Sequence, residues 1–268
     1  MDIAENQKAY PCRDISKGEL AHYREYGWAK LEGFVHPDMV DYLLTMAKDL
    51  MGEDGDSNPP LPITQDFFNI AMTGGPSNPD LRPFLNKLGR NARTLMGRRP
   101  DIQAKYYIDN FVVKLPSGKP SKHGGNGRTT YHQDYTNWAV DRSGGLGFWL
   151  ALTDIKPEAG TMSFIDGSHR YGAMGNYRAV DILDEYPELL KECSISGPMT
   201  YAAGDMTVHS NLLAHGAGEN LTDAPRWAYS VLINPSDVRW DGSPAEGFDT
   251  TGMKWLDPID DKRFPILA

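Results

Sequence analysis

Gly147-Phe148-Trp149-Leu150 and Ala228-Tyr229-Ser230-Val231-Leu232, with Tyr106-Tyr107-Ile108, Phe111-Val112-Val113 and Met162-Ser163-Phe164-Ile165 before and between them, are short β-branched and aromatic runs separated by turn-forming residues. Such runs read as strands. No regular alternation of strand and helix follows Pro100, which predicts a sandwich or jelly roll rather than a doubly wound sheet. One helix is predicted inside this half, over 179–192.

Upstream the texture is helical. Leu20, Tyr23 and Tyr26 recur at helical spacing over 16–28, as do Met39, Leu43, Leu44, Ala47 and Leu50 over 37–51. Between them 29–34 alternates and reads as a short strand. Residues 54–80 are rich in Gly, Pro, Asp, Ser and Asn and predict loop, with at most a short helix over 66–72. A third helix is predicted over 80–95, with Arg90, Arg93, Arg98 and Arg99 at its end, where positive charge is favourable. The expectation is one mainly β domain with N-terminal helices (α+β): 1–100 as helical support, 101–235 as the β core and 236–268 as a C-terminal extension.

Composition excludes several classes of function. The 268 residues carry 27 Lys+Arg against 36 Asp+Glu, a net charge of −9, which is the wrong sign for a nucleic-acid partner. Two cysteines, Cys12 and Cys193, are too few for a disulfide framework and suit a reducing, cytoplasmic setting. Residues 1–10 hold Asp2, Glu5 and Lys8 where a secretion signal needs an apolar core. The longest apolar stretches, such as 148–152, fall far short of the ~20 residues that span a bilayer. The predicted partner is a small molecule, with the chain a monomer or homodimer.

Seven histidines are present, and most histidines in proteins are ordinary hydrogen-bonded residues. His132-Gln133-Asp134 stands out because side chains at i and i+2 of a strand share a face, so an imidazole and a carboxylate stand together while Gln133 faces away. With a third ligand this makes the two-histidine, one-carboxylate triad of non-haem iron oxygenases. A strand-borne His–Asp pair without metal is the bland alternative. Downstream lie Gly204-Asp205-Met206-Thr207-Val208-His209, then Leu212-Leu213-Ala214-His215-Gly216-Ala217-Gly218-Glu219-Asn220, then Arg226.

Together these segments resemble the phytanoyl-CoA dioxygenase family of Fe(II)/2-oxoglutarate oxygenases, built on a double-stranded β-helix (jelly roll, cupin-like). The resemblance spans about 19–234. It includes Leu31-Glu32-Gly33-Phe34, Glu158-Ala159-Gly160 and Asp166-Gly167-Ser168-His169. It implies Fe(II) on His132, Asp134 and His215, the distal carboxylate of 2-oxoglutarate on Arg226, and Trp149 lining the same pocket. It further implies O2 as cosubstrate, ascorbate as a supporting reductant, and release of succinate and CO2 as a C–H bond is hydroxylated, desaturated or cyclised. The retained Asp134 disfavours halogenation, for which halogenases of this fold replace the carboxylate. One departure is Ala217, where the family carries a serine that helps hold the cosubstrate. Thr130, Thr153 and Tyr229 are the candidate replacements, Thr130 foremost.

If the chain from His209 to His215 is extended, it covers roughly 20 Å at about 3.3 Å per residue, so only one of the two histidines reaches a given metal. His215, followed by Gly-x-Gly-x-Asn, is the choice, and His209 is read as a buried strand residue. His169 is read as a turn histidine. The basic loop 114–128, with Lys114, Lys119, Lys122, His123 and Arg128, is either a lid for an anionic substrate or a solvated loop. Tyr107, Phe111, Tyr135, Trp138 and Phe164 are candidates for an apolar substrate wall, with Lys114 as a polar contact; core packing is the alternative for each. Two other functions fit the same fold: a non-redox metal enzyme of cupin type, and a non-catalytic small-molecule binder.

Overall fold

The computed structural model describes residues 11–56, 68–119, 125–175, 181–245, 248–260 and 262–267. Three helices precede and flank the sheets: α1 (Lys17–Tyr26), α2 (Pro37–Met51) and α3 (Arg82–Met96). Each is bounded by chemistry visible in the sequence. Ser16 and Glu19 form a capping box on α1, and Gly27 ends it in the left-handed conformation at φ 83°. Pro37 opens α2 behind His36, whose side chain accepts from Asp38 N. Gly97 closes α3.

The strands form two antiparallel sheets. The larger has the order β1 (Trp28–Leu31), β8 (Met206–Ser210), β5 (Leu146–Ala151), β10 (Arg226–Pro235), β3 (Ala104–Lys114), β11 (Ile266–Leu267), with β2 (Asn69–Met72) also pairing β3. The smaller runs β4 (Thr129–His132), β9 (His215–Ala217), β6 (Met162–Ile165), β7 (Ile195–Ser196). Mainly β with few helices, this is a double-stranded β-helix.

The larger sheet has two unlike faces. Leu31, Phe111, Phe148, Val208, Tyr229 and Val231 pack outward on α2 and α3, through residues such as Leu43, Ala47, Phe84 and Leu88. Trp28, Trp149, Ala151 and Ala228 face the smaller sheet, meeting Met162, Phe164, Leu213 and Ala217. A third apolar cluster closes one end: Tyr107, Trp138, Ala139 and Val140 pack with Val238, Phe248, Ile259 and Phe264 of the C-terminal segment.

Several elements differ from the sequence reading. The short helix expected over 66–72 is instead strand β2, with Asp66 and Phe67 outside the described residues; pairing with β3 overrides local propensity. The runs 106–108 and 111–113 are one strand, β3. Asp109 between them is no turn residue: it is fully buried and accepts from the hydroxyls of Tyr106, Thr73 and Tyr229. The helix expected over 179–192 is a single turn, α4 (Ile182–Glu185), then a 3-10 stretch Pro187–Lys191. Pro187 has no N–H to give and disfavours helical backbone at Tyr186, which stands at φ −127°, ψ 59°; residues 179 and 180 lie outside the described residues. The strand expected over 29–34 is β1, Trp28–Leu31. No helix among the described residues is long and apolar enough to cross a membrane. Both cysteines are free and buried.

Candidate metal centre

His132 ends β4 and His215 begins β9, and the two are register partners in the smaller sheet. Their rings lie 4.4 Å apart, centroid to centroid. β4 stops at His132, and Asp134 opens a 3-10 turn, Asp134–Asn137. Gln133 is extended (φ −110°, ψ 133°), so the alternation expected of a strand survives beyond its end. Gln133 faces away and is tied down at both ends of its amide: Nε2 donates to Leu212 O (2.6 Å) and Gly172 O (2.9 Å), and Oε1 accepts from Met174 N (2.7 Å). This clamp holds His132 and Asp134 from behind.

One donor atom each from His132, Asp134 and His215 lies within 4.8 Å of the others. Asp134 Oδ1 is 3.6 Å from His132 Nε2 and 3.8 Å from His215 Nε2. The other ring nitrogens are engaged by the main chain: His132 Nδ1 donates to Thr130 O (2.8 Å) and His215 Nδ1 to Leu213 O (3.0 Å). That orients both rings with Nε2 toward Oδ1, the orientation a metal-ligating imidazole needs. Burial and the neighbouring imidazoles of His209 and His132 push His215 well below the usual imidazole range, into its neutral, ligating form. Burial raises the Asp134 carboxyl, but His215, His132 and His209 together outweigh it and hold the group well below the ordinary carboxylate range.

His209, expected to lie apart as a strand residue, is at the centre. Its ring is 4.3 Å from that of His215, and its Nε2 is 3.1 Å from Asp134 Oδ2. The chain between the two histidines is not extended: β8 ends at Ser210, a tight turn follows with Leu213 N donating to Ser210 O (2.9 Å), and β9 starts at His215. Sequence spacing carries no signal for that reversal. His169 stays in its turn, Ser168–Tyr171.

A second group lies further along the same inner face. Arg226 and Lys114 are cross-strand partners on β10 and β3, both buried. The Arg226 guanidinium lies 5.2 Å from the Trp149 ring and Nη1 donates to Gly160 O, while Nε has no partner among the described residues. Thr161 Oγ1 is buried and likewise has no partner among the described residues. Lys114 Nζ donates to Gly218 O (2.8 Å), Gly127 O (2.9 Å) and Thr129 Oγ1 (3.2 Å). Burial, then the adjacent Arg226, push the Lys114 ammonium down to about 6; burial pushes Arg226 down to about 10. Charging both of these adjacent buried groups at once is unfavourable, since like charges opposite one another in a sheet repel and burial worsens the cost. An anion between them removes the penalty.

The remaining candidate residues fall on different surfaces of the fold. Tyr107, Tyr135 and Trp138 gather at the end closed by the C-terminal segment: Tyr107 and Trp138 rings are 5.5 Å apart, and half-buried Tyr135 packs on the same cluster as Trp240 and Met253. Phe111 is on the opposite face, fully buried against Tyr229 in the helix-facing core, so it walls no inner pocket. Lys114 is buried beside Arg226 and is not part of an exposed lid. Phe164 lies between the sheets, 6.4 Å from the His215 ring. Thr130 is exposed and offers only its carbonyl; Tyr229 OH is spent on Asp109, so neither replaces the missing serine hydroxyl at Ala217. Lys119 reaches Asp223, and residues 120–124, with Lys122 and His123, lie outside the described residues.

Residues 23–228 match the family described as Phytanoyl-CoA dioxygenase (PhyH). The chain belongs to this family. Curated members include a phytanoyl-CoA dioxygenase domain-containing protein 1 homolog of Caenorhabditis elegans, 27% identical over 153 residues (53% of this chain, 49% of the relative), and phytanoyl-CoA dioxygenase 1 of Oryza sativa subsp. japonica, 28% identical over 184 residues (66% and 57%). The chain spans about half the length of the curated relatives it matches. Among solved structures, the α-ketoglutarate-dependent carbocyclase SnoK from nogalamycin biosynthesis superposes with a TM-score of 0.76 at 22% identity, covering 95% of this chain and 97% of its own. EctD from S. alaskensis with 2-oxoglutarate and 5-hydroxyectoine gives 0.67 at 20%, covering 91% and 86%. Iron and 2-oxoglutarate are the cofactor and cosubstrate of such phytanoyl-CoA dioxygenase-type enzymes. The donor set of two imidazoles and one carboxylate fits Fe(II), and the buried Arg226–Lys114 pair, with Arg226 Nε unpartnered among the described residues, fits a carboxylate.

Proposed function

We propose that this chain is an Fe(II)- and 2-oxoglutarate-dependent dioxygenase. It acts on an unactivated C–H bond of a small molecule, by hydroxylation, desaturation or ring closure, with succinate and CO2 released. The observation that carries this reading is the placement, on one inner surface, of a converging N, N, O donor set and a separate pair of buried basic side chains, Arg226 and Lys114, with no carboxylate bonded to either among the described residues. A non-redox cupin-type enzyme uses the first and has no need of the second.

When bound, the iron and cosubstrate supply the oxidising chemistry. The chain supplies geometry and charge. His132, Asp134 and His215 would hold the metal through one donor atom each. Arg226 takes the distal carboxylate through its fork of N–H donors, while Trp149 beneath the guanidinium holds it in plane. Lys114, protonated as a carboxylate arrives, adds a second positive charge where the family's serine hydroxyl is absent at Ala217, with Thr129 between them. Beyond Trp149, its register partner Ser230 and the next strand's Asn110 are half-buried on the inner face, and their side chains have no hydrogen-bond partner among the described residues. They and the apolar pair Ile108 and Leu232 face the substrate, with Tyr107, Tyr135 and Trp138 at its far end. The related folds include a carbocyclase and an epimerase, so the fold does not dictate the fate of the substrate after C–H cleavage.

The test is succinate formation by the purified chain with Fe(II), ascorbate and 2-oxoglutarate. Slow turnover without substrate is expected, and His132→Ala or Asp134→Ala should abolish it. Equal turnover in those variants defeats the ligand assignment.

A further inference from the structure

We infer that His209 is a positioning residue for the metal's carboxylate ligand: it donates Nε2–H to Asp134 Oδ2 and so presents Oδ1 alone to the metal. This rests on the proposed ligand set. The three imidazoles at the centre differ at Nδ1. His132 and His215 each donate Nδ1–H to a main-chain carbonyl, which turns Nε2 toward Asp134. His209 Nδ1 is buried with no partner among the described residues, so a proton on it would be an unsatisfied buried donor. Its proton therefore sits on Nε2, 3.1 Å from Asp134 Oδ2. A nitrogen donating its proton has no lone pair for a metal, so a third histidine is packed into the centre without being a ligand.

The opposite strand is built around this contact. Gly147 is the register partner of His209 on β5, and a Cβ there would stand 2.5 Å from His209 Nε2 and 3.2 Å from Asp134 Oδ2. Its φ is not left-handed, so the glycine is required by the room it leaves, not by its backbone. With Oδ2 occupied, Asp134 is held to one-oxygen ligation in a fixed plane, which keeps a further position on the metal available.

The experiment is anaerobic Fe(II) titration of the metal-free protein in competition with a chromophoric chelator, with thermal unfolding of each metal-free variant alongside. His209→Ala should weaken Fe(II) by about 10–100-fold, the usual effect of losing an outer partner of a ligand. It should also shift the visible charge-transfer band of the Fe(II)–2-oxoglutarate complex. His209→Gln, which keeps an N–H at similar reach, should stay close to wild type in both. Gly147→Ala should follow His209→Ala. Unchanged affinity in His209→Ala overturns the inference, as does a glutamine variant as weak as the alanine one at equal thermal stability. A loss as complete as that of Asp134→Ala makes His209 a ligand and overturns it too. If Asp134→Ala and His215→Ala themselves bind Fe(II) normally, the ligand set falls and this inference with it; failure confined to the His209 variants removes the inference alone.

Discussion

The two faces of the larger sheet come from the same strands and have opposite chemistry. On β5 and β10 the outward residues, Phe148, Leu150, Tyr229 and Val231, are fully buried against helices. The inward residues of these strands and their neighbours include Gly147, Trp149, Thr207, His209, Arg226, Ser230, Asn110 and Lys114, mostly polar or aromatic, several with groups that have no hydrogen-bond partner among the described residues. A folded chain keeps buried polar groups paired unless something else pairs them. The outward face holds the fold together, and the inward face carries the candidate metal centre and the Arg226–Lys114 pair.

That contrast can be broken at several points. The largest effect expected is on the outward face: Phe148→Ala should cost about 3–5 kcal/mol of unfolding free energy in urea, while Fe(II) affinity of the folded protein stays put. A loss under about 1 kcal/mol, far below the usual range for such a truncation, would mean the helices do not depend on this face. Next, Arg226→Met should weaken 2-oxoglutarate by about thirtyfold or more, since removing one partner of a buried charge pair costs about 2–5 kcal/mol. Calorimetry should find this without loss of thermal stability in the ligand-free protein; unchanged affinity with lost stability would make Arg226 a structural residue.

Lys114 gives a smaller, pH-dependent effect. Its folded value of about 6 lies below the ordinary lysine value of 10.5. Between these the unfolded chain binds more protons than the folded one, so this group makes stability rise with pH across that window, and below it the full penalty is felt. Lys114→Met should flatten the rise measured by urea titration between about pH 6 and 9, and an identical slope in both proteins would rule the contribution out. In wild type at about pH 8, a carboxylate arriving beside Lys114 should draw a proton onto it, seen as a binding enthalpy that depends on the ionisation enthalpy of the buffer. Smallest of all, Asn110→Ala and Ser230→Ala should change stability by no more than about 0.5 kcal/mol and leave substrate-free succinate formation intact. A larger destabilisation would show that this pair is packed rather than ligand-facing.

How much of this is legible in the sequence depends on the kind of signal. Helix α2 is readable to its ends because Pro37, the apolar spacing and Gly52 all lie within one local segment. Strand β2 is not, because Asn69–Met72 becomes a strand by pairing with β3 rather than by its own composition. His132, Asp134 and His215 carry their identity in short motifs. Phe111 departs from expectation by one step of alternation: a strand's sequence shows that 110 and 111 face opposite ways without showing which way is in. Tyr107 escapes the alternation altogether, since the pairing of β10 with β3 shifts between Leu232 and Ile233 and leaves it without a register partner.

The sequence by itself determined that the second half is sheet, that two imidazoles and a carboxylate are available at motif spacing, and that an arginine comes after them, because these depend on residue type and local order. Only the folded molecule decided that His209 turns back onto Asp134, that Gly147 leaves room for it and that Lys114 is sealed against Arg226. Those contacts join residues far apart in the chain, and their geometry is set by register and by which face of a strand is turned inward, neither of which is written in any one segment.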